Sequence, residues 1–108
     1  MKKLLCAALI SITPVAHAEF WDGHKLWANL NETPGYSNGA ALGFVVGVHD
    51  LGEGVLHCSP SSITAGQARD VVFAYMQEFP SLRHNAAQLL VTRALQRAWP
   101  CPKKGSPT

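Results

Sequence analysis

Net charge is the first thing this chain lacks. Its 108 residues carry nine Lys and Arg against seven Asp and Glu, and the formal excess of two equals the pair Lys2 and Lys3 at the N-terminus. Beyond that pair the two signs balance, so the chain projects no cationic field for nucleic acid or for an anionic membrane surface. Long hydrophobic runs are missing as well. Leu4 to Ile12 is almost unbroken apolar sequence, about half of the roughly 20 residues a membrane-spanning helix needs. Close-spaced Cys and His pairs of the zinc-site kind are absent, which leaves His49, Asp50 and His57 without a metal-binding pattern, so no metal and no cofactor are expected. Cysteine itself is scarce: Cys6, Cys58 and Cys101 are the full set.

What is there begins with an export signal. Met1-Lys2-Lys3 is a short basic start, the apolar run follows, and Val15-Ala16-His17-Ala18 offers small residues three apart before Glu19. That order predicts a cleavable secretory signal over residues 1–18, cut after Ala18, and a periplasmic, oxidising destination. Cys6 sits inside the apolar run behind bulky Leu5, where a lipoprotein signal requires a small residue, so it leaves with the leader. Two cysteines remain in a single small domain over residues 19–101, and they allow one intramolecular pairing. The tail 102–108 has nothing to bury and is expected to be disordered.

The rest of the chain reads as an all-α bundle of about four helices. The first follows Asp22, a good N-cap, and places Leu26, Trp27 and Leu30 on one face. Thr33-Pro34-Gly35 breaks the chain. The second segment, Gly39 to Leu51, contains Phe44-Val45-Val46-Gly47-Val48, which has strand propensity by itself. Ala41, Phe44 or Val45, Val48 and Leu51 recur every three to four residues, and no partner strand exists elsewhere, so the segment is assigned as a helix with a bulged strand as the alternative. Gly43 and Gly47 would then form a smooth stripe against which a neighbouring helix packs.

The third helix is the clearest. Thr64 and Gln67 have the form of a capping box, and Ala68, Val71, Val72, Tyr75, Met76 and Phe79 make an apolar face that Pro80 ends. The fourth starts near Ser81 or Asn85, carries Ala87, Leu90, Val91, Ala94, Ala98 and Trp99 on one side, and stops at Pro100. Helices of about 15 and 17 residues, at roughly 1.5 Å per residue, are of similar length. Laid antiparallel across a short turn, they bring Cys58, just before one, beside Cys101, just after the other. A disulfide there closes the C-terminal helical hairpin, and closing a loop of about forty residues contributes roughly 4 kcal/mol by the chain-entropy argument.

Several of these runs also carry a resemblance. Gly43-Phe44-Val45-Val46-Gly47-Val48-His49-Asp50, then Cys58-Ser59-Pro60, Thr64-Ala65-Gly66-Gln67, the stretch Tyr75 to Pro80, and Ala94-Leu95 leading to Trp99-Pro100-Cys101 resemble the Rap/Tai family in order and spacing. The resemblance spans about Asp22 to Cys101. It implies a small exported helical protein that acts as an immunity protein against peptidoglycan amidases delivered by type VI secretion. Many relatives carry a second cysteine pair where this chain has residues such as Leu30 and Ala41, so docking of the first helix is left to packing. The relatives also suggest a homodimer as an option.

The chemistry visible in the sequence favours binding over catalysis. His57-Cys58-Ser59 sets a base type beside a nucleophile type, but neighbours in sequence rarely face each other, and a disulfide sulfur is not a nucleophile. No catalytic residue is expected. Asn31-Glu32-Thr33 matches a glycosylation acceptor, which matters in a eukaryotic pathway, whereas the resemblance is bacterial. Under the immunity reading the loop from Asp50 to Ser59 meets the partner, with Trp21, Asp50, Glu53 and His57 as contacts. The alternative is a small envelope structural or assembly factor that shares the fold without neutralising a toxin.

Overall fold

The computed structural model describes residues 20–103; the leader assigned to 1–18 and the end of the tail, 104–108, lie outside the described residues. Its regular structure is α1 (Gly23–Leu30), α2 (Tyr36–Gly52), α3 (Ala65–Glu78) and α4 (Ala87–Ala98), with a 3-10 turn at Pro80–Leu82. None of these helices is long and apolar enough to cross a membrane.

Local chemistry sets most of the boundaries. Asp22 caps α1 by accepting from the Lys25 N–H at 2.9 Å. Thr64 and Gln67 close the reciprocal pair foreseen for α3, at 3.1 and 2.8 Å. Two boundaries differ from the sequence reading. Helix α2 starts at Tyr36, three residues early, because the chain turns at Gly35 and the Asn38 amide reaches back to the carbonyls of Asn29, Leu30 and Glu32 at 3.3–3.4 Å. Helix α4 starts late, at Ala87. The preceding backbone is engaged elsewhere: Asn85 O accepts from Gly23 N at 2.8 Å, and Ala87 N donates to Trp21 O at 3.0 Å. That short pairing fastens the start of α1 to the start of α4.

Helices α2, α3 and α4 pack against one another, and α1 lies across α2 while touching the other two. The core is Leu26, Leu30, Ala41, Val45, Ala68, Val72, Met76, Ala87, Leu90, Val91, Ala94 and Leu95, all buried. On α4 the buried partner is Leu95, whereas Ala98, expected on the apolar side, is exposed. Docking of α1 relies on Leu26, Leu30 and a stack: the Trp27 ring lies 4.6 Å from Phe73, and the Arg83 guanidinium sits 3.6 Å above it. Gly23 is required at this junction. A Cβ there would fall 2.5 Å from Arg83 O and 2.8 Å from Arg83 Cα, and would also strike Leu90 Cδ1.

Two expectations for α2 are corrected. Gly43 and Gly47 do not seat a neighbouring helix, since both are exposed and a Cβ on either meets nothing within 4 Å. Leu51 is not on the buried stripe but 87% exposed. The helical period explains both. Ala41, Val45 and Gly52 share the inward face, while at about 100° per residue Gly43 and Gly47 lie on the far side and Leu51 about a quarter-turn away.

The disulfide joins Cys58 to Cys101 across 43 residues with a Cα–Cα distance of 4.8 Å. Cys58 N also donates to Trp99 O at 2.8 Å, so the clamp at the shared end of α3 and α4 is covalent and hydrogen-bonded together.

Candidate functional site

The segment between the end of α2 and the disulfide is built to hold one shape. Gly54 takes a positive φ of 79°, a conformation open to glycine and costly for other residues. The chain then doubles back: Leu56 N donates to Gly52 O at 2.8 Å, and Gly54 N donates to His57 O at 2.7 Å. This turn tucks His57 beneath the end of α2, where it is 1% exposed. Gly52 makes room for it. A Cβ at that position would come within 3.2 and 3.3 Å of the imidazole Cε1 and Nδ1. One residue later Cys58 ties the segment to α4.

Glu53 is the hub of the polar groups. Its carboxylate accepts from Ser59 N at 3.0 Å and from Ser59 Oγ at 2.6 Å. It also lies 2.9 Å from His57 Nε2 and 3.4 Å from His49 Nε2. His49 Nε2 is in turn 2.9 Å from Ser59 Oγ, and its Nδ1 is 3.1 Å from Asp50 Oδ1. The Ser59 hydroxyl bond, chiefly, holds the Glu53 carboxyl below its usual range of about 4.5, with further help from the imidazoles. Burial holds the His57 imidazole below its usual 6.5, against the pull of Glu53.

Serine, histidine and aspartate here repeat the connectivity of a hydrolase triad, but the surroundings oppose that chemistry. The Glu53 carboxylate accepts the Ser59 hydroxyl proton in competition with His49. An oxyanion forming nearby would face that carboxylate, and the Ser59 N–H is already bonded to Glu53. Cys58 is bound in the disulfide.

The residues foreseen as partner contacts fall into three environments. Asp50 is on the surface, with 72% of its side chain exposed, and Glu53 is partly exposed at 36%. Trp21 stacks on Phe44 with ring centroids 5.3 Å apart and is half-buried, away from the loop on the α1 side. His57 is enclosed at 1% exposure, so the direct contact expected through it is corrected: its side chain offers no surface to a partner. Sequence reasoning missed the apolar members of this surface: Leu51 at 87% exposure, Val55 at 78% and Leu56 at 46% crown the turn. It also missed Glu53 as a partner of the histidines. The signal was the four-residue step from His49 to Glu53, which one helical turn brings to a common side; His57 arrives by the turn at Gly54, which no periodicity announces.

Comparison with known proteins fits this architecture. No curated protein matches the chain significantly. The family of Rap1a immunity proteins matches residues 4–101, nearly the whole length and including both disulfide cysteines and the loop between α2 and α3, and the chain belongs to that family.

Proposed function

We propose that the protein is a periplasmic immunity protein that binds a cognate peptidoglycan-cleaving amidase of type VI secretion and blocks it with the loop between α2 and α3. Membership of the immunity family carries the reading. Export through the leader at residues 1–18 places it where such an effector acts. The loop has the properties an inhibitor needs. Its backbone is held by the Gly52–His57 turn, the Glu53–Ser59 bonds and the Cys58–Cys101 bridge, so little conformational entropy is lost on docking. Its crown is an apolar group, Leu51, Val55 and Leu56, beside the carboxylates of Asp50 and Glu53. A desolvated apolar centre with a charged rim is the arrangement that concentrates binding energy. The inhibition is steric, with no chemistry by this chain.

The experiment is co-expression of candidate amidase effectors in the periplasm with and without this protein. Rescue of growth, together with a complex on size-exclusion chromatography, is the expected result. Val55→Asp and Leu56→Asp should abolish rescue while the helical circular dichroism stays unchanged. No rescue by wild type from any amidase encoded nearby, and no complex, would remove the reading.

A further inference from the structure

We propose that His49, Glu53 and His57 form a binding site for a divalent transition-metal ion of the zinc class. One ligand atom from each residue is available, and no gap among the three atoms exceeds 4.8 Å. Ligands of a tetrahedral zinc ion, each at about 2.0–2.1 Å from the metal, stand roughly 3.4 Å apart. Glu53 Oε2 lies 3.4 Å from His49 Nε2 and 2.9 Å from His57 Nε2, which makes the carboxylate the centre of the set. A modest rotation of His49, at the partly exposed end of α2, closes the remaining gap.

Three features set this group apart from a chance surface cluster. His57 Nε2 is buried and has no hydrogen-bond partner. Glu53 Oε2 lies 2.9 Å away, so the nitrogen and the carboxylate oxygen converge on common space. A buried polar atom left unpaired is costly, and an ion between the two would satisfy both. His49 supplies the second feature. Asp50 can only accept at Nδ1, so a metal at Nε2 is compatible with a proton at Nδ1, which would point to Asp50 Oδ1 at 3.1 Å. A carboxylate behind a histidine is the outer support common to metal-ligating imidazoles. Thirdly, two imidazoles and a carboxylate form a donor set suited to zinc and its neighbours, and unsuited to calcium or magnesium, which take oxygen. In the metal-free protein the Ser59 hydroxyl bridges His49 and Glu53 at 2.9 and 2.6 Å; the ion would take over that bridging, with Ser59 or water at the open position.

Such an ion would join the last turn of α2 to the far side of the loop, next to the disulfide. The site shares its loop with the proposed docking surface, yet its test needs no partner protein. Mature protein without an affinity tag is titrated with zinc chloride by calorimetry, and the imidazole nitrogens are followed by long-range proton–nitrogen NMR. Saturable binding of one ion, with shifts at Nε2 of His49 and His57, is expected. His49→Gln and Glu53→Gln, chosen because both side chains reach the surface and checked by circular dichroism, should each weaken binding by at least about tenfold. Absence of saturable binding to wild type would overturn the proposal. So would zinc shifts confined to His24 and His84, or wild-type affinity in both variants.

Discussion

Single residues decide where this small fold tolerates change, and glycine shows both extremes. Gly23 lies where α1, Arg83 and Leu90 meet, and a methyl group there has nowhere to go. Gly23→Ala should lower unfolding free energy by about 1–3 kcal/mol through overpacking. Gly47→Ala should do the reverse, raising it by up to about 1 kcal/mol, because the site is open and alanine is the better helix former. Urea denaturation of the two variants beside wild type checks both signs. His57 and Glu53 predict the response to acid. The folded His57 has a lower proton affinity than the unfolded one, so stability is complete above about pH 6.5 and declines as pH falls from there toward the folded value. The folded Glu53 is likewise depressed, so its contribution persists above about pH 4.5 and disappears as pH falls through the folded value. Urea midpoints measured with a chelator present should therefore fall on acidification in two stages, and His57→Asn should flatten the first.

At the scale of elements, α3 was the easiest to read because each local signal agrees. Thr64 and Gln67 cap it, Ala68, Val72 and Met76 bury one face, and Pro80 follows its end. Thr64→Ala should cost about 1 kcal/mol by removing that cap, seen as a lower denaturation midpoint with an unchanged slope. Helix α2 was harder. Its β-branched run has the propensity of a strand, and what makes it a helix is the burial of Ala41 and Val45 against α3 and α4. Its glycines were misread because spacing places residues on a common face without saying which face turns inward. The start of α4 differs for another reason: residues 83 to 86 leave a 3-10 turn, and the start of α1 takes the Asn85 carbonyl and the Ala87 N–H on either side of the helix start.

For the molecule as a whole, the disulfide supplies a large share of the roughly 5 to 10 kcal/mol of net stability of a small domain. Cys58→Ser or Cys101→Ser should lower unfolding free energy by roughly 4 kcal/mol under oxidising conditions. Each variant should match wild type once the latter is reduced. Thermal melts with and without reductant measure this, and variants that melt like the oxidised parent would contradict it. The bridge also links stability to function, since the bond that joins the ends of α3 and α4 fixes the loop preceding Cys58.

Caps, helix-breaking residues, apolar periodicity and the position of two cysteines determined in the sequence alone that this is a helical bundle with one clamp, and the ordered motifs already pointed to its family. Those signals are local or pairwise, and they survive reading in one dimension. Only the tertiary structure decided which face of α2 is buried, that His57 turns inward, and that Glu53 meets two histidines and a serine. These depend on a chain reversal at Gly54 and on the packing of distant helices, and therefore on distances that no spacing along the chain encodes.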